Sequence, residues 1–164
     1  MNTSIIQEET IVAIVQKITR SMNLDCQVEL RNEIQDGKPA VVVSIHTPDH
    51  GKFLIGKNGQ NLQAFEHVLR AMVSKESKEN NGGQTILVDV NDYRKSRALY
   101  VLEVAKQAVA RVRNTQRAEA LMPMSAYERR VVHMELASLP DVATESVGQE
   151  PQRRIVIKPY RLDI

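Results

Sequence analysis

Two constellations in the 164-residue sequence have residue types and spacing suited to chemistry. The first is Gly56-Lys57-Asn58-Gly59, preceded by Ile55 and followed by Gln60 and an apolar-periodic run. Two glycines around a basic and a small polar residue let the backbone turn tightly. They also present amide N–H groups at a helix N-terminus, where partial positive charge favours phosphate. Lys57 adds a full charge at the tip. Alone, a G-x-x-G is an ordinary turn, so its flanks must decide. The second constellation is Arg129 and His133, spaced i and i+4 on one helix face, where both can act on one ligand. His133 invites a catalytic reading, but no paired carboxylates, serine or cysteine stand at a useful spacing. No phosphate-binding P-loop occurs either. His46 and His50 straddle Thr47-Pro48-Asp49 without a third ligand, which argues against a metal. The chemistry indicated is a grip on phosphate; neither catalysis nor a cofactor is expected.

The bulk sequence bounds what can carry such a grip. With 42% apolar residues the chain is globular, and its length fits one large or two small domains. No apolar run approaches the roughly 20 residues of a membrane span. Glu8 and Glu9 stand where a signal peptide would be basic and then apolar. A single cysteine, Cys26, forbids an intrachain disulfide and suits a reducing cytoplasm. Only 4% of residues are aromatic and none is tryptophan, which argues against a surface built on base-stacking platforms. Residues 1–91 carry 9 Lys/Arg against 11 Asp/Glu, or −2; residues 92–164 carry 13 against 9, or +4. A polyanion would be drawn to the second half.

The elements that must position the first constellation follow from periodicity. Ser4 and Gln7 have the form of a capping box, Ile11, Ile14, Val15, Ile18 and Met22 recur at helical spacing, and Asn23 can end that helix. Cys26, Val28 and Leu30 then alternate with Gln27, Glu29 and Arg31 as a half-buried strand, with Cys26 as a core filler. Asp36-Gly37 signals a hairpin returning through Ala40 to His46. After the glycine loop, Leu62, Phe65, Leu69, Met72 and Val73 make a helix stripe, with His67 and Lys75 on its solvent side. The charged stretch with Lys78 and Glu79 and residues 80–83 end it, and Thr85 to Val90 is a third strand.

Asp92 can cap a second long helix, to about Arg117, with Ala98, Leu102, Ala105, Val109 and Val112 as an a/d-like stripe. Arg94, Lys95, Arg97, Lys106, Arg111, Arg113 and Arg117 decorate it, and could present charge to a phosphate backbone. Glu119 to Met124 reads as a short strand stopped by Pro123. Ser125 and Glu128 form a capping box for a helix to about Ala137. Its two apolar stripes, Tyr127/Val131/Met134 and Val132/Leu136, suggest a helix sandwiched between layers. Ala143 to Val147 and Arg153 to Lys158 are strands.

The order of helix, two strands, Ile55-Gly56-Lys57-Asn58-Gly59, long helix and strand resembles a type II KH domain. The later run Pro-Met-Ser-Ala-Tyr-Glu-Arg-Arg-Val-Val-His (123–133), with Thr-Glu-Ser-Val-Gly-Gln-Glu-Pro-Gln-Arg-Arg-Ile-Val-Ile-Lys-Pro (144–159), resembles the single-strand-binding domain named for Arg-x-x-x-His. A KH domain followed by this domain is the organisation of the bacterial Jag family of RNA-binding proteins. That resemblance implies an α+β chain: a type II KH domain over 1–91, a connecting basic helix over 92–118 and an Arg-x-x-x-His domain with a short three-stranded sheet over 119–164. Many Jag proteins carry an extra N-terminal domain; this sequence opens on the KH helix, so roles of that domain are not implied.

The resemblance further implies a cytoplasmic, non-catalytic protein that binds single-stranded RNA, a post-transcriptional regulator or RNA chaperone. One backbone segment would lie on Ile55, Gly56, Lys57, Asn58, Gly59 and Gln60, and another on Arg129, Arg130, His133, Arg153, Arg154 and Lys158. Bases would enter an apolar groove lined by Ile55, Leu62 and Val41 to Ile45. Single-stranded DNA is an alternative ligand, since nothing here reads the 2′-hydroxyl. So is an adaptor role, pairing with a small KH protein and linked to membrane-protein insertion.

Overall fold

The computed structural model describes residues 3–35, 37–76 and 85–160. Asp36, Lys78, Glu79 and residues 80–83 lie outside these, as do the side chains of Ser4 and Gln7. The chain divides between Arg94 and Lys95 into two compact units.

The first unit opens with helix α1 (Thr3–Ser21), which puts Ser4 inside the helix rather than ahead of it. Ile11, Ile14 and Val15 are buried, and Asn23 leaves the helix at φ 54°. Strands β1 (Gln27–Gln35) and β2 (Lys38–His46) pair antiparallel, with Gln35 opposite Lys38 and Gly37 at φ 75°. That is the two-residue hairpin expected of an Asp-Gly step. Strand β3 (Thr85–Val90) pairs with β2 in parallel, giving the order β1-β2-β3. Helices α2 (Gly51–Ile55) and α3 (Gln60–Glu76) make the crossover. β2 is central and buried from Ala40 to Ile45, while β3 alternates, with Ile86, Val88 and Val90 inward. Leu62, Leu69 and Val73 of α3 complete the core, and Cys26 packs at its edge as a filler.

The second unit takes most of helix α4 (Tyr93–Thr115), whose first residues, Tyr93 and Arg94, belong to the first. The buried stripe of α4 is Val101, Ala105, Ala108, Val109 and Val112, so Ala98 and Leu102 sit at its margin. This stripe shares a core with Leu121, Met124, Val132, Leu136, Val142, Ile155 and Ile157. The helix expected to be a separate connector over 92–118 is therefore, from Val101 onward, a wall of the second unit. Strand β4 is only Glu119–Ala120, and helix α5 spans Ala126–Leu136. Strands β5 (Val142–Val147) and β6 (Arg154–Pro159) complete a sheet of order β4-β6-β5, antiparallel throughout. The expected capping box is formed: Glu128 N–H donates to Ser125 Oγ at 3.3 Å and Ser125 N–H to Glu128 Oε2 at 2.6 Å. The expected sandwiching of α5 is not, because Tyr127 and Met134 are exposed and only the Val132/Leu136 side is covered.

Candidate nucleic-acid interface

The glycine loop is a turn between α2 and α3 that its two glycines make possible in different ways. Gly56 has φ 69° and ψ −174°, a region essentially closed to side-chain-bearing residues. Its missing Cβ leaves room for Asn61, whose side-chain carbon would stand 2.5 Å from it. Asn61 Nδ2 donates to the Phe53 carbonyl at 2.8 Å, tying the first turn of α3 back to α2. Gly59, at φ 79°, lies against the Tyr93 ring, 3.1 Å from where a Cβ would be. Between them Lys57 is exposed, while Asn58 is half-buried at φ 53°, a left-handed conformation asparagine tolerates.

The loop's amides are only partly on offer. Those of Gly56, Gly59 and Gln60 donate inward, to the carbonyls of Lys52, Gly56 and Lys57. Gly59 is buried under Tyr93, so the surface presented is the tip, Lys57 and Asn58, flanked by exposed Gln60 and half-buried Ile55. The start of α2 is fixed in turn by Asn91. Its side chain accepts from Thr47 N–H at 3.0 Å, donates to the Thr47 carbonyl at 2.8 Å, and fills the space a Cβ on Gly51 would need. Sequence reasoning does not reach Asn61, Asn91 and Tyr93; the one available hint is that Asn91-Asp92 is a turn-prone pair at a strand end. The expected apolar groove is closed: Leu62, Val41, Val43 and Ile45 are at most 4% exposed and form the core itself.

In the second unit the structure separates the residues that sequence grouped. Arg129 is buried, with Nη1 donating to the Met124 carbonyl and Nη2 to Glu150, both at 2.7 Å. Its guanidinium thus holds the loop after β5 against α5 and is not a surface ligand. His133, one turn on, is exposed; its Nδ1 meets Thr144 Oγ1 at 2.6 Å. Arg153 is exposed and donates from Nε to Ser146 at 3.0 Å. Thr144 and Ser146 pair with Ile157 and Ile155, so they lie on the core-facing side of the sheet. Strand alternation sends Arg154 and Lys158 to the opposite side, where Lys158 pairs with Glu145. His133 and Arg153 therefore share one seam, with Arg130 exposed on α5, while Arg154 and Lys158 belong to another surface.

Five of the basic residues of α4 are paired with acids. Arg94 pairs with Glu66, Arg97 with Glu128 at 2.8 Å, and Lys106 with Glu135 at 3.0 Å. Arg111 meets Glu119 at 2.7 Å, and Arg113 grips Asp141 through two bonds of 2.6 and 2.9 Å. This narrows the expected phosphate-facing charged stripe: these five cations have their counter-charges, while Lys95 and Arg117 remain exposed. The hydrogen bond from Arg111 holds the Glu119 carboxyl below its usual range, and that from Arg113 does the same for Asp141. A depressed carboxyl contributes stability above its unfolded pKa, near ~4, and loses it as pH falls through the folded value. The second unit is therefore expected to lose stability as pH falls below ~5, less steeply in high salt. Urea titrations of wild type and of Arg111→Gln/Arg113→Gln above and below this range check this; the variant should show the smaller pH effect.

Residues 8–81 match the model for the KH domain of KhpA and KhpB, and residues 100–159 match that of the Arg-x-x-x-His (R-3-H) domain. The chain is similar to KhpB proteins, with a KH-domain match followed by an Arg-x-x-x-His-domain match. Among curated proteins, the RNA-binding protein KhpB of Clostridium symbiosum is 29% identical over 154 residues, covering 94% of this chain and 67% of that protein. KhpB of Lactiplantibacillus plantarum is 26% identical over 147 residues, 90% of this chain and 42% of its own. KhpB of Bacillus subtilis is 28% identical over 130 residues, 78% and 61%. The chain thus spans from 42% to 67% of the length of these relatives. The Arg-x-x-x-His match starts at Tyr100, inside α4, in keeping with the packing of that helix in the second unit. Among the described residues no helix is long and apolar enough to cross a membrane. Both matched domains are binding modules rather than catalytic ones.

Proposed function

We propose that this protein is a non-catalytic RNA-binding protein of the cytoplasm that holds single strands through the Lys57–Asn58 tip of its KH unit and the His133–Arg153 seam of its Arg-x-x-x-His unit. The observation that carries the reading is the exposed Lys57 on a turn held from both sides, by Asn61 at Gly56 and Tyr93 at Gly59. A preformed tip binds phosphate without first having to be ordered. The KhpB relatives are named for RNA binding, which supports RNA as the ligand. Two weak modules on one chain gain affinity through effective concentration when both engage. Such a protein would act as a post-transcriptional regulator or RNA chaperone.

Salt dependence tests the tip. Removing one phosphate contact to a single strand lowers the slope of log affinity against log salt by ~0.7. Lys57→Gln is expected to show that drop, with affinity falling alike for all sequences, in fluorescence-anisotropy titrations across a salt series. An unchanged slope would remove the tip from the interface. Competition between RNA and DNA oligomers of one sequence separates RNA from single-stranded DNA. The matched KH model covers both KhpA and KhpB, which supports a second reading, pairing of the KH unit with another KH protein. Co-purification that survives nuclease treatment would favour that reading.

A further inference from the structure

Sequence composition argues against stacking platforms, yet the structure puts one aromatic ring beside the tip. Of the two phenylalanines, Phe65 packs on the KH core, whereas Phe53 on α2 is 57% exposed. A single exposed apolar side chain needs no explanation by itself. Phe53 is set apart by its company. Lys52 Nζ lies 5.4 Å from its ring centroid, and the His50 ring stands beside it at 6.1 Å, tilted by 38°. Its carbonyl accepts from Asn61, the residue that occupies the space opened by Gly56, so ring and loop are fastened to one another through the backbone. Leu54, the next residue, is buried, which anchors the turn and leaves Phe53 on the solvent side.

We propose that Phe53 is a stacking platform for one unpaired nucleobase, adjacent to the phosphate held at Lys57. This rests on the loop reading above and adds a base contact to it. The combination is specific in its chemistry: the ring face away from the Lys52 ammonium takes the base, and Lys52 beside the ring and Lys57 on the adjoining loop take phosphates. An apolar protein partner would not call for one lysine at the ring and a second on the adjoining loop. Because any base has a π-face, the contact favours unpaired strands without choosing among sequences.

The test uses the 164-residue chain and two probes, a single-stranded oligoadenylate and an abasic oligomer of equal length. The sequence holds no tryptophan, so Phe53→Trp provides a lone indole at the site. Its emission is expected to be quenched by oligoadenylate and not by the abasic oligomer. Phe53→Ala should cut the preference for oligoadenylate over the abasic oligomer by roughly five- to a hundredfold, the effect of losing one stacked base. Its thermal unfolding should match wild type, since the ring is outside the core. A wild-type preference in Phe53→Ala, or an unquenched indole, overturns the stacking role. Co-sedimentation of wild type but not Phe53→Ala with phosphatidylglycerol vesicles, at unchanged oligoadenylate preference, would overturn it in favour of a lipid contact. Lys57→Gln, run against the same probes, reports separately on the loop: it should weaken binding of both oligomers alike.

Discussion

Replacing Glu128 with alanine is expected to destabilise the Arg-x-x-x-His unit by roughly 3–5 kcal/mol, the cost of stripping one partner from a buried ion pair. Glu128 is 5% exposed and uses both carboxylate oxygens. Oε1 accepts from Arg97 Nε, and Oε2 accepts from the Ser125 amide at the start of α5. Without it the Arg97 side chain, only 10% exposed, keeps the Met122 sulfur at 3.4 Å and the nearby Tyr100 ring, but neither neutralises its charge. The first turn of α5 also loses the acceptor for Ser125. Set against a typical domain stability of about 5–15 kcal/mol, this is enough to unfold much of the unit at moderate temperature. Urea unfolding read by hydrogen exchange of α5 and β6 amides localises the effect, which matters in a chain of two units. Removing both charges, as Arg97→Met/Glu128→Met, should recover part of the loss. If Glu128→Ala alone melts like wild type, the pair does not hold this unit.

Gly56→Asp combined with Gly59→Asp is expected to abolish tight RNA binding and to lower the stability of the KH unit by about 2–6 kcal/mol, 1–3 per forced backbone conformation. From the sequence alone, such a variant is expected to weaken RNA binding while keeping its circular dichroism spectrum. The structure adds a stability cost. At Gly56 a side chain enters a backbone region open essentially to glycine and must displace Asn61, breaking its bond to Phe53. At Gly59, also at positive φ, the new side chain meets the Tyr93 ring. For a unit of this size each kilocalorie moves the melting temperature by about 4–8 °C. Binding must therefore be measured well below the lowered transition, beside Lys57→Gln, which leaves both glycines in place. A double variant with wild-type melting temperature would show that the loop tolerates other backbone angles.

Much of the architecture is legible because burial imposes a period. The alternation of Ile86, Val88 and Val90, the hairpin closed by Gln35 and Lys38 and the Ser125/Glu128 box each follow from local geometry encoded in adjacent residues, and each appears where the sequence places it. The site is less legible. Arg129 and His133 share a helix face by spacing, yet one is buried and the other exposed. Glu150, distant in sequence, supplies the acceptor that draws Arg129 inward. The basic face of α4 looks like a ligand surface in the sequence because its counter-charges, Glu66, Glu119, Glu128, Glu135 and Asp141, come from elsewhere in the chain.

The sequence by itself determined the kinds of element, their order, and the glycine loop at the head of a helix, since hydrophobic period and turn chemistry are properties of neighbours. The tertiary structure alone decided which charges remain for a ligand. That choice depends on which acids fold against which bases: Lys57 and His133 stay at the surface, Arg97 and Arg129 are consumed inside, and Arg154 and Lys158 are turned to another face of the sheet.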